Sequence, residues 1–415
     1  MKFKIFAVIL IILVGLGIYF GDNKNLPGIK KIIPELKINY EDYFYNVVKV
    51  NKDKKIYTII DNNIEEIGTV YNKQILSLTK DDNIEKGYYN IKDTDYYIDY
   101  KNVEKSELKE FDDYWKNYIP YNESIEITDK VDLYLDKELA YTINSSLTLP
   151  IIIKDDDYYG VIYKDKLFYV KKDTGNVIKN INTDLKHTNE FSTLVYHATY
   201  DHTNSTEKAK CIKANSTICL SDIEFDKQMK YLKDNNYYTA TMKDVSMFVD
   251  GKVQLPKKTV AITIDDGYFA DAAVKVLEKY DLHATIFLIG ELANLDEWKT
   301  ESWYSKNIEL HSHTYNMHNP GKCEGGQGSI LKCGDKQMLL DDLKKSREQL
   351  NGTTVFCYPF FEYNDYAIKI LKEAGFEMAF AGGRKKIKVG QDKMKLSRFG
   401  IINTSTLDNF IATIN

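Results

Sequence analysis

The chain has little excess charge of either sign, and its first half has no cysteine. The formal net charge is −5 over 415 residues, which argues against a nucleic-acid-binding surface because such surfaces are strongly basic. All five cysteines lie from Cys211 onward, and none has the spacing of a zinc knuckle. The rest is an ordinary globular composition, 43% hydrophobic, and its length predicts two or three domains.

One long apolar run is present, at the N-terminus. Residues 5–20 carry no charge, follow Lys2 and Lys4, and lack a small-x-small cleavage site. This pattern predicts a membrane anchor over residues 1–22, with the lysines inside and the remaining chain outside the cytoplasm. Because the run is short for a spanning helix, a cleaved signal and a secreted protein are the alternative. Residues 23–39 then form a linker.

Residues 40–190 show strand patterns and few helix signals. Short alternating runs are separated by Asp-Asn or Lys-Asp turns. A weak repeat predicts two small β-rich modules, 40–105 and 131–190, which resemble bacterial SH3-like barrels, with a connecting segment at 106–130 that includes a short helix at 107–118. The many tyrosines have two interpretations, stacking on a glycan or filling small cores, and the second is favoured.

From residue 191 strands and helices alternate. Apolar runs near 192–197, 260–264, 284–289, 308–310, 354–358, 376–380 and 396–402 are separated by helix patterns, for example at 221–232, 271–280, 335–350 and 366–374. The alternation predicts a parallel sheet, and about seven units predict a closed or nearly closed barrel. We therefore predict an α/β fold, with a distorted (β/α) barrel at 191–415 preceded by the β-rich region.

The cysteines divide into two close pairs and one single residue. Cys211 with Cys219, and Cys323 with Cys333, each bracket a short loop. An exported chain permits disulfides, so local pairing and free thiols are both open. Cys357 lies in an apolar strand pattern and is predicted to be a buried thiol.

Four titratable residues stand where strands end. Asp265 and Asp266 follow the apolar run 260–264, and His313 and His318 follow the run 308–310. Asp266 with the two histidines makes an open three-ligand set for a divalent metal, which leaves Asp265 free to act as a base. A glycosidase would need its carboxyl groups roughly 5–10 Å apart on different strands, so adjacent aspartates fit it poorly.

The motifs resemble those of a known family. Three motifs follow one another in the chain: Thr263-Ile264-Asp265-Asp266-Gly267, Ser312-His313-Thr314-Tyr315-Asn316-Met317-His318 and Tyr358-Pro359-Phe360-Phe361. In this order they resemble the three motifs of polysaccharide deacetylases of carbohydrate esterase family 4, the NodB-homology domain. The resemblance covers about half of the chain. The stretch around Tyr196 and His197 is similar to the branch that includes poly-N-acetylglucosamine deacetylases.

The resemblance implies roles for individual residues. Asp265 would be the catalytic base, and Asp266, His313 and His318 would hold zinc or a similar divalent ion. The backbone N–H of Tyr358 would stabilise an oxyanion. Arg398 resembles an arginine that braces the catalytic aspartate, and an exposed surface charge is an equal alternative for this residue.

Two departures from the family pattern change the expectations. Phe361 stands where the third motif often has glycine, and no histidine follows His318. Many members carry a late Leu-x-His whose histidine is the general acid, so the acid here is left open between His197 and a protonated Asp265. His311 is a poorer candidate.

The expected function is removal of N-acetyl groups from an extracellular glycan by a membrane-anchored enzyme, with release of acetate. Peptidoglycan N-acetylglucosamine is the first predicted substrate, and secreted poly-N-acetylglucosamine or a chitin-type oligomer is the alternative. The competing class is a glycan-binding wall protein with an inactive catalytic domain.

Overall fold

The computed structural model describes residues 45–61, 63–80, 87–107, 114–180, 187–292, 295 and 306–415. The predicted anchor and linker, residues 1–39, lie outside this part of the chain, and so does half of the helix predicted at 107–118. Within the described residues, no helix is both long enough and apolar enough to cross a membrane. The anchor therefore stays a prediction.

The N-terminal region consists of strands. Its strands are β1 (Val47–Val50), β2 (Lys54–Ile60), β3 (Asn63–Val70), β4 (Ile75–Thr79), β5 (Tyr88–Ile91), β6 (Tyr97–Asp99), β7 (Val103–Lys105), β8 (Glu123–Ile127), β9 (Val131–Leu135), β10 (Glu138–Ile143), β11 (Leu147–Lys154), β12 (Tyr158–Tyr163), β13 (Lys166–Lys171) and β14 (Asn176–Lys179). Alternation of apolar and polar residues along these strands buries one face of each. A short 3₁₀ turn, Tyr114–Asn117, stands between β7 and β8.

The two predicted modules are joined in one sheet. The strand order is β14-β8-β11-β12-β13-β9-β10-β3-β2-β6-β5-β4-β1-β7, and β10 of the second half pairs with β3 of the first. Their buried apolar side chains, from Val48 to Val170, form one cluster. The connecting segment is also part of the sheet, because β8 pairs with β11 and β14. The region is β-rich as predicted, and it shares a single core.

Several tyrosines of this region serve that core. Tyr89, Tyr100, Tyr141 and Tyr163 are buried within it. The ring of Tyr141 packs edge-on against Phe168, with centroids 5.3 Å apart. Core filling, the favoured interpretation, accounts for these side chains.

The second region alternates strands with helices. Its strands are β15 (Glu190–Tyr196), β16 (Ala198–Tyr200), β17 (Cys219–Ser221), β18 (Tyr238–Thr239), β19 (Thr259–Asp266), β20 (Ala284–Leu288), β21 (Ile308–Ser312), β22 (Val355–Cys357), β23 (Met378–Phe380), β24 (Ile387–Lys388) and β25 (Phe399–Gly400). Its helices are α1 (Ser205–Asn215), α2 (Asp222–Asp234), α3 (Met242–Val249), α4 (Asp271–Tyr280), α5 (Lys336–Gln349), α6 (Asp365–Ala374) and α7 (Leu407–Ile414). The helix α1 has Asn204 as its N-cap, whose side chain accepts from the Glu207 N–H.

The parallel strands close into a distorted barrel. The order β15-β19-β20-β21-β22-β23 is parallel throughout. Residues 396–400 complete the ring: Leu396 bridges to Phe380 of β23, and Phe399 pairs in parallel with Leu194 of β15. The segment predicted as a full last strand is thus irregular, with only two residues in a ladder. The predicted barrel architecture agrees with this topology.

The β-rich region packs against the amino end of the barrel. Trp115, Tyr118 and Ile153 share an apolar cluster with Val245 and Phe248 of α3. The Tyr118 hydroxyl donates to Asp244 at 2.7 Å, and the Tyr121 hydroxyl donates to the carbonyl of Gly251 at 2.9 Å. The contact places the β-rich region on the side of the barrel away from the strand ends that carry the candidate site.

Both close cysteine pairs are disulfides. Cys211–Cys219 and Cys323–Cys333 have Cα atoms 5.8 and 5.9 Å apart, which is usual for such bonds. Cys357 is a buried free thiol, as predicted.

Candidate active site

The predicted site residues meet at the carboxyl ends of the barrel strands. Asp265 and Asp266 are the last residues of β19, His197 follows β15, His313 follows β21, and Tyr358 follows β22. Arg398 comes from the segment that closes the ring. Strand ends at this face are where barrel folds place reactive groups, and hydrogen bonding of the parallel ladder aligns these ends.

The backbone separates the two adjacent carboxylates. Asp266 has φ 70° and Gly267 has φ 87°, so the chain leaves the strand in two left-handed steps, which aspartate and glycine tolerate best. The Gly267 N–H donates to the Asp265 carbonyl at 2.9 Å. Asp265 therefore keeps its inward strand direction, while Asp266 turns towards the histidines.

Asp265 is held by a buried arginine. Arg398 Nη1 donates to Oδ1 at 2.6 Å and Nη2 donates to Oδ2 at 2.7 Å, and both side chains are almost fully buried. Burial alone would raise the pKa of the carboxyl group, but the adjacent guanidinium outweighs it and holds the pKa of Asp265 well below its usual range. The alternative of an exposed charge at Arg398 is therefore wrong.

A thiol completes this buried group. Cys357 Sγ lies 3.3 Å from Asp265 Oδ2 and 2.8 Å from Arg398 Nη2. The Arg398 guanidinium also donates to Thr263 Oγ1 at 3.0 Å, and it is flanked by the rings of Phe287 and Phe361 at 5.5 and 5.3 Å. The buried thiol is predicted from the sequence, but its contact with Asp265 is not, because the two residues are 92 positions apart in the chain.

Asp266 forms a second group with the two histidines. Its Oδ1 lies 3.4 Å from His313 Nε2 and 3.5 Å from His318 Nε2. Ligand atoms about 2.0–2.1 Å from a tetrahedral zinc lie ~3.3 Å from one another, so the spacing fits a divalent ion. Asp266 Oδ1 is buried and has no hydrogen-bond partner among the described residues, which is costly unless a cation binds there. These three residues fit the predicted metal.

Neighbouring groups fix the histidines. His313 Nδ1 is 2.8 Å from the carbonyl oxygen of Cys357, which directs Nε2 towards Asp266, as the hydrogen bonds of metal-binding histidines usually do. His318 packs against the ring of Phe360 with centroids 4.4 Å apart. Asp342 of α5 accepts from the N–H groups of Tyr315 and Asn316, at 2.9 and 2.7 Å. These hydrogen bonds hold the loop after β21 in a bend, which brings His318 to the candidate site.

Other groupings of possible ligands fit a metal less well. Asp265, His313 and Cys357 also lie close together, but the Arg398 guanidinium already supplies positive charge to Asp265. Asp201, His202 and Asp222 form a third group, at the surface. We therefore assign the candidate metal centre to Asp266, His313 and His318.

The predicted role of Tyr358 needs correction. Its backbone N–H donates to the carbonyl of Phe380 at 3.0 Å, because the pairing of β22 with β23 continues one residue beyond Cys357. That N–H is therefore not free to bind an oxyanion. The Tyr358 ring is buried, and its hydroxyl donates to the Met394 carbonyl at 3.0 Å, so the residue supports the segment that carries Arg398.

His197 faces the carboxylates, and His311 does not. His197 Nδ1 is buried without a hydrogen-bond partner among the described residues, and its ring lies edge-on to Phe361 with centroids 6.3 Å apart. Burial lowers the pKa of His197 below its usual value, and the charges of Asp265 and Asp266 offset this only in part. His311 Nδ1 instead bonds Thr353 Oγ1 at 2.6 Å, deeper in the barrel.

A barrel with titratable side chains gathered at its strand ends has the architecture of an enzyme. Residues 252–379 match the family model described as polysaccharide deacetylase. The match covers the part of the barrel that carries Asp265, Asp266, His313 and His318, and it confirms the resemblance predicted from the sequence.

Curated relatives carry related names. YxkH of Bacillus subtilis, assigned provisionally to the polysaccharide deacetylases by its name, is 31% identical over 175 residues, which are 40% of this chain and 60% of YxkH. The poly-beta-1,6-N-acetyl-D-glucosamine N-deacetylase of Staphylococcus epidermidis is 28% identical over 209 residues, 44% of this chain and 68% of that enzyme. The chain thus spans less than two thirds of the length of YxkH.

Two solved structures with a similar backbone trace are named as deacetylases. The Streptococcus pyogenes deacetylase PplD in complex with acetate is 23% identical, with a TM-score of 0.45 over 55% of this chain and 98% of that one. BC0361, a polysaccharide deacetylase from Bacillus cereus, is 18% identical, with a TM-score of 0.44 over 87% of this chain and 99% of that one.

Proposed function

We propose that this chain is a metal-dependent N-deacetylase of an extracellular glycan that contains N-acetylglucosamine. The observation that carries the proposal is the pair of adjacent groups at the barrel mouth, a carboxylate fixed by Arg398 and a three-ligand set at Asp266, His313 and His318. Amide hydrolysis needs a base for water, positive charge near the carbonyl oxygen and an acid for the departing amine.

Asp265 is proposed as the base. Arg398 holds both of its oxygens in place, but an ionised carboxylate has about four lone-pair positions, so Asp265 can still accept a proton from water. Because the guanidinium favours the charged form, the carboxylate is ionised at neutral pH. The carboxylate takes one proton as the water oxygen attacks the acetamide carbon.

Asp266, His313 and His318 would hold a divalent ion, with zinc as the first choice. A bound ion would supply positive charge for the carbonyl oxygen and lower the pKa of a water molecule. Imidazole nitrogens and carboxylate oxygens are ligand types that zinc accepts. The backbone bond at His313 Nδ1 keeps the ring in one orientation for this role.

His197 is proposed as the proton donor to the departing amine. It lies beside the carboxylates, and its buried Nδ1 has no partner that would compete among the described residues. When the carbon–nitrogen bond of the acetamide breaks, the sugar nitrogen receives this proton and the acetyl group leaves as acetate. Asp265, protonated in the first step, is the alternative donor.

The relatives favour one substrate. The staphylococcal relative and one from Escherichia coli K12 are both named as poly-beta-1,6-N-acetyl-D-glucosamine N-deacetylases. We therefore place poly-β-1,6-N-acetylglucosamine first and peptidoglycan, which the predicted membrane anchor favours, second. Anchoring of residues 1–22 in the membrane, with the barrel outside the cytoplasm, is part of the proposal.

The test is acetate release from defined glycans. Residues 45–415 with added zinc are incubated separately with β-1,6-linked N-acetylglucosamine oligomers, peptidoglycan fragments and chitin oligomers, and products are identified by mass spectrometry. Loss of one acetyl group per modified sugar is expected, fastest with the β-1,6 oligomers. Stoichiometric metal without acetate release from any of the three would favour the inactive glycan-binding protein.

A further inference from the structure

One aromatic residue at the barrel mouth has an unfavourable backbone conformation. Phe361 has φ 63°, and Phe360 before it has φ 59°. This left-handed region favours glycine, and bulky side chains rarely occupy it. Such conformations persist where surrounding contacts enforce them, and they are concentrated at functional sites.

The Phe361 side chain lies at the candidate site and faces solvent. It is 37% exposed, although large apolar side chains are usually buried. The ring lies edge-on to His197, with centroids 6.3 Å apart, and its centroid is 5.3 Å from the Arg398 guanidinium carbon. Its Cβ also lies directly against Gly382, where an added side chain would come within 3.3 Å. The ring therefore forms a wall beside the proposed base and proton donor.

The next residue fixes this wall in place. Glu362 accepts from the N–H groups of Gln327 and Ser329, the latter at 3.0 Å, and pairs with Lys332 at 2.9 Å. These three partners belong to the loop that the Cys323–Cys333 disulfide closes. Glu362 thus ties the left-handed turn to a crosslinked loop, and the turn cannot relax without breaking charge-assisted hydrogen bonds.

We infer that Phe361 is a specificity-determining residue, whose ring is an apolar platform for the pyranose that carries the acetamide. Sugar-binding sites need apolar surface for the C–H face of the ring, and a fixed aromatic side chain supplies it at low entropic cost. The position beside His197 and Asp265 places the sugar at the reacting groups. This inference rests on the proposed function, because it assigns the ligand of that same site.

The test compares four proteins on one β-1,6-linked N-acetylglucosamine pentamer: wild type, Phe361→Gly, Phe361→Leu and Phe361→Tyr. We expect the glycine variant to raise KM about tenfold, in the range that apolar contacts in a pocket contribute. Leucine should raise it less, and tyrosine should stay within about threefold of wild type. Metal content should be unchanged in all four.

Thermal melting separates this role from a structural one. Glycine is favoured at positive φ, so Phe361→Gly should melt at or above the wild-type temperature while KM rises. A lower melting temperature with unchanged KM would overturn the inference, as would equal KM values for all four proteins. Glu362→Gln, which loosens the turn without touching the ring, should raise KM in the same direction.

Calorimetric binding of the same pentamer distinguishes this inference from the proposed function. If wild type released no acetate, the proposed function would fail, but weaker binding to Phe361→Gly would still support the platform. Active wild type with equal binding to both proteins would contradict the platform alone.

Discussion

Asp265 and Asp266 are chemically identical neighbours, and their surroundings give them different roles. Asp265 faces a guanidinium and a thiol, whereas Asp266 faces two imidazole rings and has an oxygen without a hydrogen-bond partner among the described residues. Since a buried carboxylate needs compensating charge, one aspartate receives it from Arg398, and the other requires it from a cation.

This difference predicts separable effects of substitution. Asp265→Asn should keep bound zinc and lose about 100- to 10,000-fold in rate, because the proton acceptor is removed. Asp266→Asn, His313→Ala and His318→Ala should instead lose the metal, because two remaining ligands hold an open site poorly. Zinc is measured by elemental analysis of the purified proteins, and rate by acetate release.

The exposed His202 offers a matched control, since His202→Ala removes an imidazole that is not part of the candidate metal centre and should change neither quantity. If Asp265→Asn lost its zinc while Asp266→Asn retained it, the two roles would have to be exchanged. Near-normal rates with full zinc in both aspartate variants would contradict the proposed hydrolysis itself.

At the level of single elements, β21 carries a second, partly buried carboxylate on the side of Asp265 that lies deeper in the barrel. Glu309 accepts from the Met242 N–H at 2.7 Å and from Thr285 Oγ1 at 2.8 Å, and His283 Nε2 lies 3.1 Å away. Burial alone would raise the pKa of Glu309, but the adjacent His283 and His311 rings outweigh it and lower the pKa far below its usual range. The Glu309 carboxylate on β21 thus connects this strand to α3 and β20 by hydrogen bonds.

That lowered pKa predicts acid sensitivity. A carboxylate with a depressed pKa in the folded state stabilises the protein above its unfolded pKa, about 4.3 for glutamate, and this contribution is lost as pH falls further. Between pH 7 and pH 3, wild type should lose more stability than Glu309→Gln, which has no charge to titrate there. Urea unfolding at several pH values measures both slopes, and parallel slopes would show that Glu309 is not responsible.

The elements that the sequence predicts correctly are those with local signals. Neighbouring residues determine the strand and helix patterns from residue 191 onward and the motifs around Asp266 and His313. These features can therefore be predicted from the sequence. The Tyr358 assignment was wrong because its N–H is taken by Phe380, a partner that only the sheet supplies. Two further features join residues that are distant in the chain: the contact of Cys357 with Asp265 and the pairing of β10 with β3. Neither has a local sequence pattern that would predict it.

At the level of the whole molecule, the barrel and the β-rich region share an apolar boundary. Trp115, Tyr118, Ile153 and Leu167 lie in one cluster with residues of α3 and the barrel interior. Lys252 also pairs with Asp155 across the boundary at 2.7 Å. The catalytic region therefore depends on the β-rich region to cover its amino end.

Removing the β-rich region should destabilise the barrel. We expect residues 187–415 alone to melt at a lower temperature than residues 45–415. They should also bind an apolar dye, because removal of the β-rich region exposes the apolar side chains at the shared boundary. Calorimetry and dye fluorescence measure these effects. Tyr118→Phe, which loses the hydroxyl and its hydrogen bond to Asp244, should cost about 1 kcal/mol and serves as the small-change comparison. Equal melting of the two chains would show that the barrel is autonomous.

Closure of the barrel by residues 396–400 has a consequence for the order of assembly. Asp265 is synthesised 133 residues before Arg398, the residue that balances its charge. Until the closing segment docks, the carboxylate has no guanidinium, and its burial would favour the neutral acid. Catalytic activity is therefore expected to appear at the last step of folding, when residues 396–400 pair with β15 and β23 and close the barrel. In refolding experiments acetate release should lag behind the recovery of helical signal, and simultaneous recovery would contradict this order.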